Sequence, residues 1–247
     1  MNTLPIRCAR PLLAAATAAL MACGVAQAQN TSSVSGPVVS AGDREVEYRF
    51  GWVPGEDGRG DSFGHRFDYR LSVNERTSLK VATNFEDNPG EDIRFDNINV
   101  EYLIELSPED ADIWKTGIRF DARVSNGPDP ERIGFNWLNQ WQLSDRLRAR
   151  AQLIATRQLG YNGRKSIDFE VRSSLSWKIG ADHDIALLSF TNLGSSDDFS
   201  VGGRVQQAGP ALSGKLGNGY GWTAGTLFGL SDAAPENDIR LWITKSF

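Results

Sequence analysis

Cysteine is almost absent: the 247 residues hold two, Cys8 and Cys23, both close to the N-terminus. Histidine and methionine are as scarce, at two each. With so few thiols and imidazoles there is no material for a disulfide scaffold, a thiolate metal site or a cysteine nucleophile. Copper handling through Met- or His-rich tracts is disfavoured for the same reason. Long apolar runs are also missing. Beyond residue 28 nothing approaches the roughly 18 apolar residues that a membrane-spanning helix needs, and mean hydropathy is negative. A membrane barrel stays open, because only alternate residues of its strands face lipid.

The N-terminus reads as an export signal. Arg7 and Arg10 give a positive start, residues 11–25 are almost wholly small or apolar, and Ala26-Gln27-Ala28 is a small-x-small cleavage site. A second reading takes Leu20-Met21-Ala22-Cys23 as a loose lipobox with Cys23 lipidated; Met21 fits it poorly, and cleavage after Ala28 is the expectation. Removing 28 of the 247 residues leaves 219, enough for one large β domain. Both cysteines go with the signal, and losing Arg7 and Arg10 moves the formal charge from −5 to −7. That acidic balance argues against a nucleic-acid partner. Residues 29–44, rich in Ser, Gly, Pro and Val without period, are expected to form a flexible periplasmic lead-in. The remainder, 45–247, is expected to be a single barrel.

Over that remainder the hydrophobic period is two. Val46, Tyr48, Phe50 and Trp52 alternate with Glu45, Glu47 and Arg49, and Phe67, Tyr69, Leu71 and Val73 with Arg66, Asp68 and Arg70. The pattern recurs around Val81, Val100, Ile118, Leu153 and Val171. Helices would group apolar residues at three- and four-residue spacing, and none of these segments does so. About twelve strands result, many of them long enough to cross a bilayer at a tilt. The breaks alternate too. Asn74–Arg76, Ser107–Ala111, Ser144-Asp145, Gly180–Asp182 and Gly217-Asn218-Gly219 are tight, and Asn-Gly is a strong hairpin signal. Pro54–Asp61, Glu86–Asp92, Ser125–Pro130, Leu159–Lys165, Asn192–Asp198 and Ser231–Asn237 are mostly longer and acidic. Tight turns on one rim and longer loops on the other suit an up-and-down antiparallel transmembrane β-barrel of the all-β class, with both ends in the periplasm. Trp114, Trp141, Trp177 and Trp222 fall beside the tight turns and Trp52 beside a longer loop, as expected of membrane girdles.

The final segment ends in Phe247, with Ile243, Leu241 and Ile239 at alternate positions inward and Lys245 as the one departure. It resembles the C-terminal strand of bacterial outer-membrane barrels. That resemblance implies an outer-membrane location and recognition of the last strand by the barrel-assembly machinery, with lipid and lipopolysaccharide as surroundings. By length, strand count and an arginine-bearing inner face, without a shared motif, the chain is also similar to the small oligogalacturonate-type porins.

The opposite stripe should line the lumen: Arg49, Arg66, Arg70, Lys80, Arg119, Arg123, Arg148, Arg150 and Arg172, interleaved with Asp68, Glu101, Asp121, Asp168 and Glu170. A hydrated pore of excess positive field would favour small anionic solutes. The competing reading is a lattice of paired charges that plugs a structural or adhesive barrel. An outer-membrane hydrolase is a third, weaker candidate. His65 lies near Asp61 and Ser62, and Asp182-His183-Asp184 falls at a turn, but no catalytic motif surrounds either. The acidic loops (Glu56, Asp57 and Asp61; Glu86, Asp87, Glu91 and Asp92; Asp197 and Asp198) lack EF-hand spacing. No catalytic residue, metal site or cofactor is expected.

Overall fold

Long alternating segments have one way to satisfy every backbone donor and acceptor while keeping one face apolar, and that is to pair with neighbours until the sheet closes. The computed structural model, which describes residues 31–56, 58 and 60–247, shows this outcome. The strands are β1 (Arg44–Val53), β2 (Ser62–Ser72), β3 (Thr77–Asp87), β4 (Arg94–Glu105), β5 (Trp114–Ser125) and β6 (Arg132–Gln142). They continue as β7 (Leu147–Gln158), β8 (Ile167–Lys178), β9 (His183–Ser195), β10 (Asp198–Phe199), β11 (Gln206–Gly217), β12 (Tyr220–Gly229) and β13 (Asn237–Ser246). The two-residue β10 folds back on β9 within a loop. The other strands form a closed antiparallel barrel, in which each pairs with its sequence neighbour and β13 returns to β1. Among the described residues there is no helix.

The register is continuous around the barrel, so the two faces never exchange. From Arg49↔Arg66 through Lys80↔Glu101, Arg119↔Asn136 and Gln152↔Arg172 to Gly225↔Arg240 and Arg49↔Trp242, the same side of the sheet points inward. Bulges at Phe85, Glu170 and Gly217 occur near the strand ends and leave the mid-barrel pairing intact. At the β11–β12 turn Asn218 (φ 50°) and Gly219 (φ 76°) both take positive φ. Asn and Gly tolerate that region, and it matches the twist of a two-residue hairpin.

The outer face is a belt of large apolar side chains: Phe67, Val100, Phe120, Phe135, Trp137, Leu153, Leu187 and Leu241 are all exposed. Trp114, Trp141, Trp177 and Trp222 lie on this face toward the tight-turn rim, and Trp52 lies toward the loop rim. The indole of Trp52 donates to Asp61 Oδ2 at 3.1 Å, and that of Trp114 to Asn139 Oδ1 at 3.1 Å. Each ring thereby keeps its polar edge bonded at the end of the apolar band. Phe247 is outward and exposed beyond β13. Lys245, which breaks the apolar alternation of the last strand, bonds to the carbonyl of Asn218 and lies 4.6 Å from the ring centre of Tyr220. A long stem carrying its ammonium to the rim explains how a lysine is accommodated there.

Of the 29–44 segment expected to be a flexible periplasmic lead-in, residues 31–39 run within the lumen. Thr31 is buried at mid-height, and Pro37 is wholly buried. Val39 donates its N–H to Glu105 Oε2 at 2.8 Å near the turn rim. A turn closed by Asp43 N–H to Ser40 O (3.2 Å), with Gly42 at φ 78°, then feeds the chain into β1. The physical reason is visible in the composition: Ser, Gly, Pro and Val carry no charge and little bulk, and they fit a lumen whose walls supply the hydrogen bonds. The proposed signal region, including Cys8, Cys23 and the cleavage site, lies outside the described residues.

Candidate functional site: the barrel lumen

An inward residue and the one two places on share a face of the strand, and the lumen repeats one motif on that spacing. Arg49 pairs with Glu47 (2.5 Å), Arg66 with Asp68 (2.7 Å), Arg119 with Asp121 (2.7 Å), Arg172 with Glu170 (2.7 Å) and Arg240 with Asp238 (2.7 Å). Each carboxylate orients its guanidinium and leaves further N–H groups to point elsewhere.

At the centre of one wall two carboxylates sit among four cations. Asp68 is reached by Arg66, Arg49 (3.5 Å) and Lys80 (3.6 Å). Glu101 is reached by Arg66 (2.7 Å), Lys80 (2.8 Å) and Arg119 (3.2 Å). Neutral side chains extend the lattice. Asn136 donates to Asp121 Oδ2 at 2.8 Å, and Gln152 donates to Asn136 Oδ1 at 2.9 Å. The facing wall is different in kind. Leu188, Phe190, Ala211 and Leu227 form an apolar patch there, with Val34 of the lumen segment packed against it. Arg240 (4.5 Å) and Arg172 (5.6 Å) lie over the Phe190 ring.

All the arginines and the lysine expected to line the lumen fall on the inward register. They do not form one uniform positive surface. Arg70 pairs with Glu45 (3.2 Å) and Arg123 with Asp96 (3.1 Å). Arg148 keeps a buried Nε without a hydrogen-bond partner, and Arg150 Nε donates to the neutral Gln140 Oε1 at 2.8 Å. Guanidinium groups without a paired carboxylate thus occur at the turn rim of β7, and Arg132, with a buried unpartnered Nε, stands at the loop rim. Alternation along β13 carries Asp238, Arg240 and Trp242 inward as well, and the same period-two signal in the last strand could have found them. The apolar patch on β9, β11 and β12 was masked by small residues that read as neither stripe.

The space inside is divided. A cavity of about 770 Å³ opens toward the loop rim, lined by Arg123, Arg132, Arg164 and Arg204 together with Asp168 and Asp232. A second, of about 310 Å³, lies toward the turn rim among Arg70, Arg150, Glu45 and Trp242. Residues 33 and 35 border both.

The histidines are not brought into a catalytic grouping. His65 lies on the outer face, where Nδ1 and the Tyr48 hydroxyl share a hydrogen bond of 2.8 Å, among the rings of Phe50 and Tyr48. Ser62 is buried on the opposite face, and Asp61 accepts from Trp52 and from Gly55 N–H (2.9 Å). His183 opens β9 at the turn rim with its ring 6.3 Å from Trp222. Among the described residues no group of three or more His, Cys, Asp or Glu is placed to hold a metal ion. The acidic loop residues are drawn instead to nearby donors. Glu86 and Glu91 pair with Arg94, Asp198 pairs with Arg204, and Glu56 Oε1 accepts Glu236 N–H at 2.6 Å. Asp57 lies outside the described residues.

No known protein family and no curated protein matches the chain in sequence. Solved structures do match in shape. A structure described as "KdgM porin in complex with disordered oligogalacturonate" superposes with a TM-score of 0.60 at 9% identity, covering 82% of this chain and 99% of that one. A NanC porin gives a TM-score of 0.60 at 10% identity, covering 82% of this chain and 100% of that one. At such identities the likeness is one of fold. The chain, a barrel of twelve long strands, thus shares the fold of these porins.

Proposed function

We propose that the protein is an outer-membrane channel for passive diffusion of small solutes, with anions favoured. The observation that carries this reading is the cavity of about 770 Å³ inside a closed barrel, lined by charged side chains and open at the loop rim. Hydrocarbon-facing residues outside and ionised residues inside are the arrangement expected of a solute path through a bilayer. Arg148, with an unpartnered Nε, and Arg150, held by the neutral Gln140, supply the anion preference at the turn rim. A porin of this fold is described as complexed with oligogalacturonate, which makes acidic oligosaccharides a class of solute to try first.

The test is single-channel recording of the purified, folded protein in planar bilayers under a salt gradient. We expect discrete conductance steps with a reversal potential on the anion side. Folded protein that gives no conductance in any salt would overturn the reading. It would favour the second one, a structural barrel, which the paired lattice around Asp68 and Glu101 supports. In both readings the last strand, with Phe247 exposed at its end, is the element offered to the assembly machinery. Lipid and lipopolysaccharide surround the outer face.

A further inference from the structure

Residues 31–39 contain no charged side chain and form no regular secondary structure, yet they are held at several points along their length. Three successive backbone carbonyls each accept from a different arginine. Thr31 O takes Arg49 Nη1 (3.0 Å), Ser32 O takes Arg240 Nη1 (2.7 Å) and Ser33 O takes Arg172 Nη1 (3.3 Å). These arginines come from β1, β13 and β8, and each is already oriented by the carboxylate two residues before it on its own strand. Ser35 then donates its N–H to Gln152 Oε1 (3.2 Å) and accepts at Oγ from Arg119 Nη1 (3.0 Å).

Side chains follow the backbone. Val34 enters the apolar patch of Leu188, Phe190, Ala211 and Leu227. A Cβ on Gly36 would come within 2.9 Å of Arg150 Nε, so at this glycine the backbone lies directly against that guanidinium, which a larger residue would have to push aside. Pro37 approaches the inner wall at Gly117, where a Cβ would meet it at 3.0 Å. Segment and wall are complementary in charge, polarity and shape. The segment lies where the two cavities meet.

We infer that residues 31–39 are an internal strap that narrows the conducting passage at the barrel's waist and screens Arg49, Arg172 and Arg240 from passing anions. The inference rests on the channel reading. The strap bonds to side chains rather than to a strand edge, so the barrel closes without it. Each such bond replaces one to water, so the strap is held by a sum of individually modest contacts. Removing it opens the waist and presents three oriented guanidinium groups to the water column.

The experiment compares the full chain with a chain lacking residues 31–39 and with the Val34→Asp variant, each shown to be folded by heat-modifiable mobility. We expect severalfold larger single-channel conductance and stronger anion selectivity on deletion, and an intermediate rise for Val34→Asp. Val34→Asp alone decides the matter should the shortened chain not assemble. Hydrogen exchange on the full chain gives a readout independent of conduction, in which the amides of Ser35 and Val39 should be protected. Equal, non-zero conductance in all three overturns the strap and leaves the channel standing. Exchange of both amides as in free chain also overturns it. Silence in all three, with folded barrels, overturns the channel and the strap's gating role together.

Discussion

Glu101 on β4 holds Arg66 and Lys80 at once, at 2.7 and 2.8 Å, and both of those cations also reach Asp68, two strands away on β2. A carboxylate shared in this way neutralises charge that would otherwise face the lumen. Replacing it by the isosteric amide keeps the shape and removes the charge. For Glu101→Gln we expect the anion-to-cation permeability ratio to rise, read from the reversal potential. The folded barrel should lose about 3–5 kcal/mol against urea, because Arg66, Lys80 and Arg119 are left under-compensated. An unchanged ratio would mean that ions do not pass along this wall.

On the outer face the sign of a charge matters less than its depth. Leu153 lies mid-strand on β7, outward and 40% exposed. Leu153→Arg should cost about 2–4 kcal/mol in refolding from urea into lipid vesicles, as an arginine does near the bilayer midplane. The same substitution in a protein with a water-facing outer wall would be nearly neutral. Near-neutrality would therefore contradict the membrane assignment.

Deletion of Phe247 separates stability from assembly. Its N–H bonds to the Arg44 carbonyl at 3.0 Å, and its ring is exposed. Loss of one exposed ring and one end bond should cost little in refolding of the purified chain. The amount of assembled barrel in outer-membrane fractions should fall several-fold. Equal assembly of the shortened chain would remove the case for recognition through the last residue.

Alternation along a strand carried most of the fold. Val46 to Trp52 or Ile98 to Leu106 can satisfy a two-sided environment in one conformation only, so strands, faces and a count of about twelve strands are legible in the sequence. Inward placement of Arg49 or Arg172 followed from the same period. Partnerships did not. Sequence order shows that Glu47 and Arg49 share a face, but nothing local shows that Lys80 will meet Glu101 or that Arg49 will lie over Trp242, since those contacts depend on register between strands. Residues 31–39 were illegible for a further reason. A segment that takes its hydrogen bonds from the surrounding wall needs no period of its own, and Thr-Ser-Ser-Val-Ser-Gly-Pro looks the same in a lumen as in solvent.

The pairing of β1 with β13 bears on how the molecule comes together. Ser246 Oγ bonds to Glu45 Oε2 across 201 positions of chain, and Val46↔Lys245 through Trp52↔Ile239 zip along the same line. Every other ladder of the barrel can grow from a local hairpin, whereas this seam must wait for the final strand to exist. Contacts of such long sequence separation are slow to form. Until they do, two raw edges stay open to any passing strand, so the vulnerable interval of biogenesis ends when the seam shuts.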